Sequence, residues 1–452
     1  MQGKDILSCL NNGKASQIFK KLYGVEGIED ASSRYGSLIE EYTRNTPDWF
    51  PHSRFPEAGK DISVFSAPGR TELGGNHTDH NHGKVLAASI HLDAVAIAAP
   101  RDDKKIFYRS KGHEDVEIDI SDLSIQDQEK GTACAMFRGI AAEFSKLGIP
   151  VRGFSANADS RVLTGSGLSS SAALEVLIGC IFNNFFGEGK LSAIEIAKIG
   201  QKAENNYFGK PCGLMDQTAC ATGGAISIDF ADPSNPDVKK MHFDPAEFGT
   251  YLCVVDTKGS HSDLTDDYAA IPSEMKAVAS FLGKTVLREL EFNTIIEKAN
   301  DIRKALGDRA LLRALHFFLE NERVDFMMNA LEKIDKALLM EDRQRLFGSF
   351  VQQANNSGDS SWKLLQNIYS PHYSKEQGIS LALAVTHNFL EKNNTFRGAC
   401  RVHGGGFAGT IQAYIPINVF SNYVRLMETL FGTGCVTVLS VRDLGVTELD
   451  FA

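Results

Sequence analysis

The run Leu-Thr-Gly-Ser-Gly-Leu-Ser-Ser-Ser-Ala-Ala-Leu-Glu-Val at 163–176 follows a short strand pattern, Gly-Phe-Ser-Ala-Asn-Ala-Asp at 153–159, and turns at once into helix-forming residues. It constrains the fold more than any other stretch. Glycine lets the chain bend tightly and lets other atoms approach its amides, while serine hydroxyls cap a helix or ligate a cation. If Ser169 to Ala173 begin the helix, several unpaired N–H groups converge where the helix dipole adds about half a positive charge, and an anion fits there. A capped surface helix accounts for the same residues without a ligand. No GxxxxGK[ST] run occurs in the chain, so a phosphate held here is neutralised by something other than a loop lysine.

At 452 residues the chain has room for two or three domains, and 43% hydrophobic with 23% charged residues is ordinary globular composition. A net charge of -10 argues against nucleic-acid binding, which needs clustered Lys and Arg. The eight cysteines show no CxxC spacing, so neither a zinc site nor a disulfide frame is expected. The start lacks the apolar run of a signal peptide, and no 18-residue apolar span occurs. The expectation is a cytoplasmic protein with no membrane partner.

Along the chain, residues 1–60 read as a helical lead-in ending in a Pro-rich link, Asp-Trp-Phe-Pro-His-Ser-Arg-Phe-Pro-Glu-Ala-Gly. A first lobe spans 61–232, with strands over 84–100, 104–110 and 115–122, a helix over 132–148, a strand over 153–159, the Gly-Ser bend, helices over 171–187 and 192–209, and a strand over 225–230. Ala-Asp-Pro-Ser-Asn-Pro-Asp marks the boundary to a second lobe, 233–452, with strands at 241–244 and 250–257, a long helical region, and a closing strand, helix, strand. Helices and strands mixed without regular alternation predict an α+β protein of two lobes.

Three further stretches carry chemistry. Ser-Ala-Pro-Gly-Arg-Thr-Glu-Leu-Gly-Gly-Asn-His-Thr-Asp-His-Asn-His-Gly at 66–83 reads as a Gly-rich loop ahead of an apolar strand. It gathers Arg70, Asn76, His77, Asp79, His80 and His82, and suits sugar hydroxyls better than a metal, because the helical HExxH frame is absent. In 203–224, Glu204 and Asp216 are carboxylates that could act as metal ligand and proton acceptor, as a kinase requires. In Arg-Val-His-Gly-Gly-Gly-Phe-Ala-Gly at 401–409, Gly404, Gly406 and Gly409 satisfy GxGxxG, but a strand follows, so the dinucleotide fingerprint lacks its helix.

Taken together, Ala-Pro-Gly-Arg at 67–70, 77–86, 165–176, 203–217, Leu-Glu-Asn-Glu-Arg-Val at 319–324 and Gly-Gly-Gly-Phe-Ala-Gly at 404–409 resemble, in order and separation, the galactokinases of the GHMP small-molecule kinase family. The resemblance covers the chain from about residue 30 onward. It implies a first lobe like ribosomal protein S5 domain 2, a ferredoxin-like second lobe, and an active site in the cleft. It implies transfer of the ATP γ-phosphate to the anomeric hydroxyl of galactose, with Mg²⁺, by a monomer or weak oligomer whose partners are small molecules. By matching motif, Gly165, Ser166, Gly167, Leu168, Ser169, Ser170, Ser171 and Ala172 would hold ATP, and Ser171 and Glu204 would ligate Mg²⁺. Asp216 would be the base and Arg70 would keep it ionised; Asn76, His77, Asp79, Gly213 and Tyr268 would contact the sugar, with His261 seven residues before Tyr268 as in the family.

The chain departs from the family at the sugar loop: Asn76 stands for a glutamate, Glu72 for an asparagine and His80 for a tyrosine. An amide in place of a carboxylate weakens or changes hydroxyl recognition, which leaves N-acetylgalactosamine, galacturonate or arabinose as alternative substrates. A sugar sensor without catalysis is the other class, and the intact Ser169–Ala173, Glu204, Arg70 and Asp216 set argues against it.

Overall fold

The computed structural model describes residues 1–43, 61–163, 165–259, 264–393 and 397–451. The Pro-rich link and His261 lie outside the described residues.

The described residues form twelve strands: β1 (Ser63–Gly74), β2 (Lys84–Pro100), β3 (Lys105–Ser110), β4 (Val116–Asp119), β5 (Phe154–Ser160), β6 (Ala225–Asp229), β7 (Asp237–Met241), β8 (Thr250–Asp256), β9 (Ala399–Val402), β10 (Thr410–Pro416), β11 (Val436–Leu439) and β12 (Thr447–Leu449). The first sheet runs β12-β1-β2-β5-β3-β4, and β6 pairs with β2 and carries β7. Strand β2 is long enough to serve two neighbours on one side, with residues 84–88 on β6 and 94–100 on β5. Residues 66–74, expected as loop, belong to strand β1: its register shifts between Pro68 and Arg70 and again between Glu72 and Gly74. Such bulges turn a strand and re-aim its side chains, so a polar, glycine-containing segment stays in the sheet and still presents Arg70 to the cleft.

One face of this sheet packs on helices Ala133–Lys146, Ser170–Phe186, Ala193–Ala203 and Met215–Thr222 through Phe137, Phe144, Val176, Phe182 and Cys220. The other face takes the lead-in helices Gly3–Asn11, Ser16–Tyr23 and Ile28–Thr43, whose Phe19, Tyr35 and Ile39 meet Val64, Val95 and Ile97. Arg34 donates to buried Asp93 at 2.7 Å, and Arg442 reaches the same carboxylate at 2.9 Å. Both ends of the chain are therefore fastened to β2 by charge-assisted bonds.

The second sheet is antiparallel in the order β11-β8-β10-β9. Numbered within that lobe its order is 4-1-3-2 with helices between the first and second and the third and fourth strands, which is the ferredoxin-like arrangement. Helices Gly378–Lys392 and Phe420–Phe431 cover one face, and Asp308–Lys336 and Met340–Ser360 the other. The expected boundary at 232/233 is not a clean cut: β7 lies beyond it yet pairs with β6, and β12 returns from the second lobe to pair with β1. The strand expected at 241–244 lies at Asp237–Met241 instead, because cross-strand pairing with β6 outweighs the turn-forming Asn-Pro-Asp before it. A shared core of Leu73, Leu86 and Leu168 with Met327, Phe350 and Tyr414 joins the lobes below the cleft.

Candidate active site

The Gly-Ser bend lies against β1. Arg70 donates its backbone N–H to Leu168 O at 3.1 Å, and a Cβ added to Gly69 would lie 2.8 Å from the same oxygen. Gly167 has φ +71 and a Cβ there would lie 2.9 Å from the His403 ring, so the position needs glycine on both counts. Ser169 sits at the N-cap with φ 60, and no side chain caps the helix. Its hydroxyl instead donates to Asp216 Oδ2 at 2.5 Å. The first-turn amides are thus left to a ligand, the condition for an anion site at a helix start. Ser171, on that turn, is exposed.

Arg70 and Asp216, 146 residues apart in sequence, meet as a two-point ion pair, Nε to Oδ1 at 2.8 Å and Nη2 to Oδ2 at 2.6 Å. The third arm, Nη1, donates to Gly167 O of the bend. Burial would raise the Asp216 pKa, but the Arg70 charge, the Ser169 and Arg70 hydrogen bonds and the Lys210 charge together hold it below the usual carboxylate range. Asp216 stands in the first turn of Met215–Thr222, where the helix dipole favours the same charged form. Its side chain is 34% exposed while that of Arg70 is 6%. The arrangement presents an ionised carboxylate to the cleft, held by a buried guanidinium.

Glu204 opens a single π-turn, Glu204–Phe208, closed by left-handed Gly209. Its buried carboxylate accepts from Lys210 Nζ at 3.2 Å and Gln217 Nε2 at 3.1 Å. Gln217 also donates to Glu175 Oε2 at 2.9 Å, while Glu175 Oε1 has no hydrogen-bond partner. Burial first, and the Glu204 charge second, push Glu175 well above the usual carboxylate range. Glu175 lies one helical turn after Ser171 on helix Ser170–Phe186, and Gln217 bridges it to Glu204.

The turn after β1 carries the residues expected to contact sugar. His77 Nε2 lies 2.9 Å from Gly405 O, so that nitrogen carries the hydrogen. Burial holds its pKa at about 3, leaving it neutral with Nδ1 as acceptor. Asp79 is 13% exposed and accepts from the His80 amide at 2.9 Å. A Cβ added to Gly213 would overlap the Asp79 carboxylate, so only glycine fits beside it. Tyr268 donates to Gly406 O at 3.1 Å and packs edge-on against Phe407. Asn76 turns inward: its Nδ2 faces Glu72 Oε1 at 3.1 Å and Gly404 O at 2.8 Å, and its Oδ1 accepts from Asn367 at 3.0 Å. Glu72 is in turn held by buried Arg401 at 2.5 Å.

Residues 134–224 match the model for the GHMP kinases N terminal domain, and 52–100 match the galactokinase galactose-binding signature. A galactokinase of Streptomyces coelicolor is 34% identical over 298 residues, covering 64% of this chain and 74% of the relative. A galactokinase of Thermosipho africanus is 30% identical over 363 residues, covering 80% of this chain and 92% of the relative. The chain belongs to the galactokinase family. Its fold is that of the GHMP kinases: Lactococcus lactis galactokinase complexed with galactose superposes with a TM-score of 0.71 at 22% identity, covering 86% of this chain and 96% of that one. Methanococcus jannaschii mevalonate kinase superposes at 0.56 and 14%, covering 85% and 99%.

Several residues that hold this galactokinase-family site carry no sequence signal of their own. Glu320 accepts from the Gly75 N–H at 3.1 Å and the Asn76 N–H at 3.4 Å, and His316 Nε2 meets Asn76 O at 2.8 Å. Both lie on helix Asp308–Lys336 and fix the backbone of the sugar-side turn from the second lobe. Glu320 was within reach, since it belongs to the Leu-Glu-Asn-Glu-Arg-Val segment; His316 was not, being a lone histidine in a helix. Gln217 and Glu175 sit inside the stretches 203–224 and 163–176, where the sequence points to their neighbours instead.

Proposed function

We propose that the protein transfers the γ-phosphoryl group of ATP to the anomeric hydroxyl of galactose, giving galactose 1-phosphate and ADP. The observation that carries this reading is the Arg70–Asp216 pair, joined through Ser169 and Gly167 to an uncapped helix start. Asp216, held ionised, takes the proton of the C1 hydroxyl as the P–O bond to ADP breaks and the bond to the sugar oxygen forms. Arg70 offsets the charge that gathers on the phosphoryl oxygens without leaving its carboxylate partner. The transition state is loose, so Asp216 acts more through alignment of the hydroxyl than through basicity. The amides of 165–172 take the ATP phosphates, and His77, Asp79, Gly213 and Tyr268 bound the sugar.

We take Ser171 and Glu204 as the residues that would hold a divalent cation. Ser171 and Glu204 are hard oxygen donors, and the unpartnered oxygen of Glu175 beside the Glu204 charge marks a surplus of carboxylate there. Ser171 and Glu204 would hold Mg²⁺, which when bound would supply charge neutralisation of the ATP phosphates. Asn76 holds the turn rather than reading a hydroxyl, since its amide is taken on both sides. The eight free cysteines suit a cytoplasmic enzyme, which we take to act as a monomer or weak oligomer. The test is incubation with ATP, Mg²⁺ and galactose, glucose, N-acetylgalactosamine, galacturonate or arabinose, with products resolved by phosphorus NMR. Galactose 1-phosphate as the main product is expected; no sugar phosphate with galactose refutes the reading.

A further inference from the structure

His403 lies on the second lobe directly after β9, is 2% exposed, and reaches three groups of the first lobe and its own sheet. Its Nε2 is 3.0 Å from Thr71 Oγ1, and its Nδ1 is 3.3 Å from Ser166 O and 3.1 Å from Thr410 Oγ1. The hydrogens can be assigned one by one. Gln412 Nε2 donates to Thr71 Oγ1 at 2.7 Å, so Thr71 accepts there and turns its own hydrogen to His403 Nε2. Thr410 Oγ1 donates to Ser166 O at 2.8 Å, so its remaining capacity toward His403 is as an acceptor. A carbonyl only accepts, and Nδ1 therefore carries the ring hydrogen. The ring is neutral, with one tautomer, and every donor has an acceptor.

This ring grips the phosphate bend from the far lobe. Ser166 O receives Thr410 Oγ1–H and faces His403 Nδ1, and the next carbonyl, Gly167 O, receives Arg70 Nη1. Arg70 then meets Asp216 at two points. Two adjacent carbonyls of one short bend thus point to opposite partners, one to the second lobe and one to the guanidinium. We propose that His403 is a positioning residue: together with Thr410 it orients the 166–167 peptides from the second lobe and so sets the guanidinium of Arg70 against Asp216. The proposal rests on Asp216 and Arg70 being the reacting pair described above.

Two substitutions divide the ring's contacts. In His403→Asn the amide falls near the Nδ1 position and keeps a donor for Ser166 O and Thr410; in His403→Gln it falls near Nε2 and keeps only the Thr71 contact. The Asn variant loses the Thr71 contact and the Gln variant the Ser166 and Thr410 contacts, so a role in stability alone lowers the melting temperature of both without dividing them in the pH limb. We expect His403→Gln to lower kcat by about tenfold or more and to move the acid limb of kcat/KM upward by about one pH unit, as the Arg70 charge loosens from Asp216. His403→Asn should leave that limb in place. Amide hydrogen exchange on the nucleotide-free full chain gives a readout free of turnover: the amides of 165–172 should exchange faster in the Gln variant and at the wild-type rate in the Asn variant. An unmoved limb and unchanged exchange in both variants, or equal change in both, overturns the proposal. Absence of turnover in the wild-type enzyme instead refutes the kinase reading and leaves the exchange comparison to judge His403.

Discussion

Replacing Asp216 by asparagine removes one charge and exchanges one acceptor oxygen for a donor. The two carboxylate oxygens have unequal duties: Oδ2 accepts from Arg70 Nη2 at 2.6 Å and Ser169 at 2.5 Å, whereas Oδ1 accepts only from Arg70 Nε at 2.8 Å. The best asparagine rotamer keeps its oxygen at the Oδ2 position, which leaves its NH₂ facing the Arg70 Nε–H, donor against donor. One charge-assisted hydrogen bond is lost, worth about 1.5–3 kcal/mol in general, and the partial exposure of Asp216 puts the stability cost near the lower end. The kinetic cost is larger. A positioned general base contributes about 10²–10⁴-fold, and a misdirected Arg70 adds to the loss, so kcat should fall by about 10³-fold, or ~4 kcal/mol. Sugar binding should change by less than about threefold, because the lost group acts on the transferred proton rather than on the ground state. Steady-state ADP release gives kcat, calorimetry with galactose gives binding, and a melting scan confirms folding. A variant that keeps kcat within about threefold of wild type would refute the assignment of Asp216.

Gly213→Ala pushes a methyl group into the Asp79 carboxylate, so the sugar KM should rise about tenfold or more with the ATP KM unchanged; equal effects on both would place Asp79 outside the sugar pocket. Glu204→Gln keeps the Gln217 and Lys210 neighbourhood but removes a hard anionic donor, and the Mg²⁺ concentration for half-maximal rate should rise about tenfold; superimposable titrations would remove Glu204 as a ligand. His77 and His403 are both held at about 3 against an ordinary 6.5, chiefly by burial. The unfolded chain binds these protons first, so their contribution to stability is complete above pH 6.5 and drains as pH falls toward about 3. Urea unfolding from about pH 7 to about pH 4 should show this decline and His77→Gln should flatten it; a slope untouched by the substitution would contradict the buried neutral ring.

Features fixed within a few residues were legible. The Gly-Ser bend before a helix and the apolar runs of β2 and β8 follow from backbone freedom and periodicity, and they lie close to where the sequence puts them. Residues 66–74 misled because glycine and proline argue for loop, while two bulges let the same residues remain in strand β1. The protein partners of Asn76 were not legible either: an amide at a sugar-loop position invites a sugar partner, while in the fold Glu72, Gly404 and Asn367 bond to it.

The sequence by itself determined which local pieces exist: a glycine-serine bend ahead of a helix, the long apolar strand over 84–100, and a pair of carboxylates in 203–224. Each depends on torsion preferences and side-chain type over a handful of residues, so each is written locally. Only the tertiary structure decided that Arg70 meets Asp216, that His403 crosses to Ser166, that Glu320 and His316 hold the turn at 75–76, and that β12 returns to the first sheet. Those contacts link residues far apart in the chain, and which of many polar groups become neighbours is set by how the two sheets and their helices pack around the shared core. Charge and donor type limit such pairs; packing selects among them.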